Sequence, residues 1–242
     1  MLRPFAAAAT FALAALPSAA PRLLAAQDAP VTVTFAEYAS PTVTDYQATL
    51  GAPLTSHGFD FYQAFPLAGS RNVLSTWGTS DVTAGNRASN RGASVGMFAS
   101  VPGVGIDIYV AGDDPIVPAR SFNMYAVDVA HLFATPTVPV LENFDLSFAA
   151  FTQDGDLISQ TFTVFAPPVI AGLQTPLFQT LRFDTRWRSV TNVFWNQNGS
   201  FLSQQHQFTN VVAQVTPEPG TWALLGVGLA GVLVVAGRRR TA

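Results

Sequence analysis

One serine in this sequence stands at a spacing that could support nucleophilic chemistry. Residues 92–96, Gly-Ala-Ser-Val-Gly, match the nucleophile elbow, in which a strained turn between a strand and a helix exposes the serine hydroxyl. A Val-Pro-Gly sequence at residues 101–103 soon follows Ser94, which leaves no room for the required helix. We therefore expect Ser94 to lie in a loop or at the start of a strand, and the sequence predicts no catalytic residue.

Metal-binding patterns are equally weak. The three histidines, His57, His131 and His206, are far apart in sequence, and none pairs with another at the spacing of metal ligands. Two acidic pairs, at residues 113–114 and 154–156, could offer oxygen ligands to calcium, but turn formation explains both. We predict no metal ligand and no cofactor, with a structural calcium ion in the body as the alternative.

Aromatic residues beside amides are the candidates for carbohydrate binding. A sugar ring packs its apolar face on an aromatic plane, while amide groups bind its hydroxyls. Trp195, followed directly by Asn196, is the first candidate, and Trp187 is the second. Further candidates are Trp77, Tyr62 and Tyr109. Burial in a hydrophobic core is the alternative for each ring.

Charge and cysteine content exclude several classes of protein. Between residues 27 and 216 the chain has seven arginines, no lysine and fourteen acidic residues, a formal charge of −7. Such a body lacks the basic surface that neutralises phosphates, so nucleic acid is a poor partner. The chain has no cysteine, which excludes disulfides and thiol catalysis.

The first 26 residues have the organisation of a secretory signal peptide. Arg3 precedes an apolar segment at residues 5–16, and small residues follow, ending in Ala25 and Ala26. We predict cleavage after Ala26, which assigns residues 27–214 to one exported domain.

Alternating apolar and polar residues predict that this domain is all-β. The alternation is clear at residues 31–35, 106–110 and 144–148, and an Asp-Gly turn at residues 154–155 predicts a hairpin. The body shows no sustained apolar pattern of helical period. Eight to eleven short strands without helices are typical of a β-sandwich or jelly roll.

The last 28 residues, 215–242, combine three features in a fixed order. Pro217, Glu218 and Pro219 form a turn that continues neither a strand nor a helix. An uncharged apolar run at residues 221–237 then predicts a single, short transmembrane helix. Its cytoplasmic end is marked by Arg238, Arg239 and Arg240, as expected from the positive-inside rule.

This combination resembles the PEP-CTERM sorting signal, also described as the ice-binding protein C-terminal domain. The signal peptide predicts passage through the Sec translocon and cleavage by signal peptidase. The resemblance implies processing near the Pro-Glu-Pro turn by a membrane enzyme, an exosortase. It further implies delivery to the cell surface or extracellular matrix from a membrane-anchored precursor.

The body also resembles the jelly-roll domains that often precede such tails, on sequence blocks between residues 120 and 215. The analogues of that fold are carbohydrate-binding modules, an analogy of fold alone. We therefore expect an exported, non-catalytic surface or matrix protein, with a carbohydrate-binding module for exopolysaccharide as the alternative. A hydrolase is the third hypothesis, and it would require a convergent carboxylate pair or a catalytic triad.

Overall fold

The computed structural model describes residues 29–38, 44–46, 53–64, 73–77, 94–98, 105–116, 118, 120–131, 142–168, 177–198 and 205–216. Within these ranges the chain forms strands β1 (Val31–Val33), β2 (Thr44–Tyr46), β3 (Leu54–Ser56), β4 (Phe59–Ala64), β5 (Val73–Trp77), β6 (Ser94–Phe98), β7 (Gly105–Val110), β8 (Phe122–His131), β9 (Phe144–Phe151), β10 (Leu157–Val164), β11 (Gln179–Arg182), β12 (Val193–Asn198) and β13 (Gln205–Val215). Two short 3₁₀ helices, Ala36–Tyr38 and Thr185–Trp187, complete the described elements. The prediction of an all-β body is confirmed.

The strands form two antiparallel sheets. Sheet A has the order β11-β8-β13-β6-β5-β2, with β1 also paired to β13, and sheet B has the order β10-β9-β12-β7-β4-β3. From β6 onward, every connection except the β9–β10 hairpin passes from one sheet to the other. The inner orders β6-β13-β8-β11 and β7-β12-β9-β10 are those of an eight-stranded jelly roll.

Strand β9 shows how the sequence divides each strand between core and solvent. Its buried residues, Phe144, Leu146, Phe148 and Ala150, alternate with more exposed ones. Successive side chains of a strand point to opposite faces, so one face of β9 is apolar and inward while the other faces outward.

Aromatic contacts join the two sheets. Trp195 of sheet B meets Phe208 of sheet A with ring centroids 5.1 Å apart, and Phe59 meets Phe122 at 5.3 Å. Edge-to-face pairs of this kind contribute about 0.5–1.5 kcal/mol each beyond their buried area. The sheets thus pack face to face as a β-sandwich around a core rich in phenylalanine.

The predicted hairpin at residues 154–155 is confirmed between β9 and β10. Thr152 N–H donates to Asp156 O at 2.9 Å, and Gly155 adopts a φ of +88°. Glycine has no Cβ and reaches this left-handed region at little cost, which explains the Asp-Gly sequence at the turn.

The predicted signal peptide and transmembrane segment, residues 1–26 and 221–237, lie outside the described residues. Within the described part of the chain, none of the helices has the length and apolarity needed to span a bilayer.

Candidate functional site

The two tryptophans expected at a glycan site lie in the core instead. Trp195 is 0% exposed, stacks on Phe148 with centroids 5.3 Å apart, and donates from Nε1 to His206 Nε2 at 3.0 Å. Trp187 is also 0% exposed and packs against Phe183 at 4.7 Å. Neither indole can offer a face to a sugar, so the prediction of a platform built on these two rings is wrong.

Asn196, the amide expected beside that platform, lies on the opposite face of β12 from Trp195. It is half-buried on the outer face of sheet B, where it pairs in register with Ser147 of β9. The alternation of a strand separates these neighbours in sequence, because adjacent side chains cannot share one face.

Ser94 begins strand β6, and the residues after it continue that strand beside β5 and β13. The strand-to-helix turn of a nucleophile elbow is therefore not formed there. Another serine, Ser56, contacts Glu37 through a short hydrogen bond, and its Oγ lies 2.9 Å from His57 Nδ1. Because Ser56 Oγ donates to Glu37, this cluster fastens the first 3₁₀ helix to the β3–β4 hairpin rather than activating a hydroxyl.

The other two histidines pair with each other in register, His131 on β8 and His206 on β13. Because Trp195 donates to His206 Nε2, the ring proton of His206 lies on Nδ1, 3.3 Å from Gln197 Oε1. Burial lowers the pKa of His206 to about 3 and that of His131 to about 4. Both rings are neutral components of the core.

The acidic residues in the loop after β7 accept hydrogen bonds from other groups of the protein. Asp113 Oδ1 forms an ion pair with Arg120 Nε at 2.7 Å, and Asp114 Oδ1 accepts a hydrogen bond from Ile116 N–H at 2.8 Å. Among the described residues, no three side chains of the metal-binding types come together as a metal site.

A pocket of about 570 Å³ opens on the outer face of sheet B. Its floor is formed by outward residues of three adjacent strands, with Phe194 of β12 in register between Asp107 of β7 and Ala149 of β9. Phe151, the next outward residue of β9 after Ala149, pairs with Leu157 of β10 at the rim of the pocket. Further lining residues come from the loop after β7 and from the β9–β10 turn, and include Pro115, Ile116, Pro118 and Gly155.

Among the described lining residues, Asp107 supplies a carboxylate at the floor of this pocket. Asp107 Oδ2 accepts from Tyr109 Oη at 2.7 Å, and Oδ1 accepts from Asn192 Nδ2 at 3.1 Å. Burial raises the pKa of Asp107, while these two hydrogen bonds and one from the backbone of Ile108 oppose the rise. Burial is also the main cause of the raised pKa of Tyr109, with the hydrogen bond to Asp107 second.

Aromatic rings line the pocket together with the carboxylate. Phe151 is 50% exposed, and Phe194 is half-buried with its ring over Gly105. A Cβ on Gly105 would lie 2.5 Å from the Phe194 ring and 2.2 Å from Trp195 O, so a larger residue at this position would displace the ring or the backbone. Tyr62 of β4 meets the Tyr109 ring edge-on, with centroids 5.7 Å apart.

The same outer face becomes polar away from the pocket. Ser147 Oγ lies 3.1 Å from Thr161 Oγ1 and accepts from Asn198 Nδ2 at 2.6 Å, and Thr163 donates to Asp145 at 2.7 Å. From Asp145 to Phe151 the strand extends over about 20 Å at the usual rise per residue. The face therefore combines an apolar pocket with an adjacent strip of hydroxyls and amides.

The segment after the last strand has a recognisable sequence. Strand β13 ends at Val215, and residues 215–240 match the family model described as the PEP-CTERM protein-sorting motif. The tail of this chain is a PEP-CTERM sorting motif. The PEP-CTERM match includes the Pro-Glu-Pro sequence at residues 217–219 and Arg238, Arg239 and Arg240, and it confirms the resemblance seen in the sequence.

No curated protein matches the chain as a whole. Solved structures similar to this chain include a DUF4465 family protein from Bacteroides caccae, at 10% identity over 76% of this chain and 98% of that one, with a TM-score of 0.44. A family 11 carbohydrate-binding module from Clostridium thermocellum, in complex with a mixed-linked tetrasaccharide, has 11% identity, covers 71% and 92%, and gives 0.30. The CBM22-1 and GH10 modules of a Clostridium thermocellum xylanase have 11% identity, cover 78% and 29%, and give 0.35. These TM-scores all lie below 0.5.

Sequence reasoning named Tyr62 and Tyr109 but missed Asp107, Phe151 and Phe194. A signal for Asp107 was present, since the inward residues Ile106, Ile108 and Val110 assign the residues between them to the outer face. Phe151 and Phe194 gave no such signal, because large apolar residues are ordinarily assigned to the core.

Proposed function

We propose that this chain is an exported protein, sorted by an exosortase through its PEP-CTERM motif, whose β-sandwich body binds carbohydrate without chemical turnover. Its destination is the cell surface or extracellular matrix, and its ligand is a polysaccharide of that matrix. The PEP-CTERM motif supports the destination, and the outer face of sheet B supports the ligand class.

The pocket around Asp107 is the observation that carries the binding function. A sugar needs an apolar surface for one face of its ring and hydrogen-bonding groups for its hydroxyls. Phe151 and Phe194 supply the first, and Asp107 with Asn192 supplies the second. The volume falls within the range of about 300–1,000 Å³ that is usual for small-molecule sites.

The lining of the pocket favours binding over hydrolysis. Glycoside hydrolysis ordinarily uses two carboxyl groups on either side of the scissile bond, about 5–9.5 Å apart. Among the described residues that line the pocket, Asp107 is the one with a carboxylate. A second carboxyl group for acid–base chemistry is not part of that set.

Removing an exposed ring from the pocket tests the proposal. Phe151→Ala should weaken retention of the full chain on the matrix polysaccharide of its source roughly tenfold, since ring stacking at exposed platforms is worth about 1–3 kcal/mol. Affinity electrophoresis in gels cast with that polysaccharide gives the measurement.

Phe165→Ala is the matched control, because Phe165 is 57% exposed and does not line the pocket. Equal weakening by both variants would place binding elsewhere on the body. If the wild-type chain is not retained, the proposed carbohydrate binding is wrong, and the chain is interpreted as a structural surface protein.

A further inference from the structure

Among the described residues, the carboxylate of Asp107 has no cationic partner in the pocket. Its two described side-chain contacts, Tyr109 and Asn192, are neutral, and no basic side chain is among the described residues lining the cavity. The arginine of the adjoining loop, Arg120, is paired with Asp113 at 2.7 Å. Buried or half-buried charges are ordinarily paired, so this arrangement leaves the charge of Asp107 for a ligand to neutralise.

Asp107 also retains capacity to accept a hydrogen bond. An ionised carboxylate offers about four acceptor positions. Three are used, by Tyr109 Oη, by Asn192 Nδ2 and by the Ile108 backbone. Within the described part of the chain, one position therefore remains for a donor in the pocket. A charged N–H donor forms a stronger bond with a carboxylate than a neutral hydroxyl does.

The aromatic walls favour the same kind of group. Phe151, Phe194 and Tyr109 line the cavity together with Asp107. The faces of aromatic rings attract ammonium groups, and the attraction is greater where water is excluded. Anionic sugars are disfavoured on the same surface, since Asp107 of β7 and Asp145, at an outward position of β9, are both acidic.

We propose that the pocket prefers glycans that carry a free amino group, with the ammonium of an amino sugar bound to Asp107 between the rings of Phe151 and Phe194. This inference rests on the proposed carbohydrate-binding function and specifies its ligand class. Neutral glycans bind the same surface more weakly, and uronic-acid glycans are repelled by it.

Three oligosaccharides of equal length and linkage test the preference. They are the β-1,4 tetramers of glucosamine, N-acetylglucosamine and glucose, titrated calorimetrically at pH 6 into the full chain in a non-ionic detergent that lacks a sugar headgroup. We expect the glucosamine tetramer to bind about tenfold more tightly than the other two, because a hydrogen bond between two charged groups is stronger than one to a neutral donor. Acetylation removes the charge and leaves the ring, so the comparison does not depend on any variant.

Two variants distinguish binding of the ammonium in the pocket from its general attraction to the acidic body. Asp107→Asn should abolish the preference, while Asp145→Asn, which removes a charge from the polar end of the same face, should retain it. Equal affinities of the wild-type chain for the three tetramers would overturn the inference and leave the proposed function standing. A preference that persists in Asp107→Asn would also overturn it. Failure of all three tetramers, with retention on matrix polysaccharide intact, would overturn the inference alone.

Discussion

At the scale of single residues, burial divides the aromatic side chains of this protein into two groups. Trp187, Trp195 and Phe208 fill the space between the sheets, whereas Phe151 and Phe194 lie on the outer face of sheet B. Burial of the aromatic rings also brings a polar atom into the core, because the Nε1–H of Trp195 needs a hydrogen-bond acceptor there. His206 supplies it and must stay neutral to do so.

The buried histidines predict a loss of stability at mildly acidic pH. Burial lowers the pKa values of His131 and His206 to about 4 and 3, whereas an unfolded histidine titrates near 6.5. Between these values the unfolded chain binds more protons, so the free energy of unfolding is fully retained above pH 6.5 and decreases as the pH falls towards 4. Denaturant unfolding at several pH values, followed by circular dichroism, measures this slope.

His131→Phe tests the origin of that slope. Removing one imidazole should reduce the pH-dependent loss by on the order of 3 kcal/mol between pH 6.5 and 4. The raised pKa of Asp107 works in the opposite direction and is present in every variant. An unaltered slope in His131→Phe would contradict the assignment.

At the scale of elements, local sequence determined some features and left others open. The alternation in β7 and β9 and the Asp-Gly turn were sufficient to predict strands and a hairpin. Strand β13 was harder, because it contains a bulge at Asn210, where φ is +48° and the register with β8 shifts. The bulge lets both Phe208 and Val211 face the core, which a strict two-residue period does not allow.

Which face of β12 points inward could not be decided from sequence. Val193, Phe194 and Trp195 are consecutive apolar residues, so the alternation that normally identifies the buried face is absent. A shift of the strand by one residue would turn Phe194 into the core and Trp195 to the outer face. The pairing of β12 with both β7 and β9 selects the inward face, and those partners are distant in sequence. The candidate site followed from this choice and could not be assembled beforehand.

A separate prediction concerns the fate of the PEP-CTERM tail. If it is an address and not a permanent anchor, the mature surface protein should end near Pro219, with the arginine cluster removed. Mass spectrometry of the protein from a host with an exosortase measures its C-terminus. Glu218→Ala, or a host without the enzyme, should retain the whole tail. Recovery of residues 238–242 on the mature protein in the competent host would contradict the prediction.

At the scale of the whole molecule, the jelly roll gives its two sheets different roles. The inner faces form the core, and the outer face of sheet B carries a pocket at one end and a polar strip at the other. The chain leaves β13 at Val215 directly into the PEP-CTERM motif. A body that binds polysaccharide, released from such a tail, would remain associated with the matrix through its ligand.

A crystal structure of the full chain with a bound oligosaccharide tests the central claim most directly. The account predicts a sugar ring seated against Phe151 and Phe194, with a polar group of the sugar on Asp107. Further sugar units should follow the strip of Ser147, Asn196 and Thr161 along the same face. An oligosaccharide ordered on the outer face of sheet A, with the pocket around Asp107 left free of sugar, would contradict it.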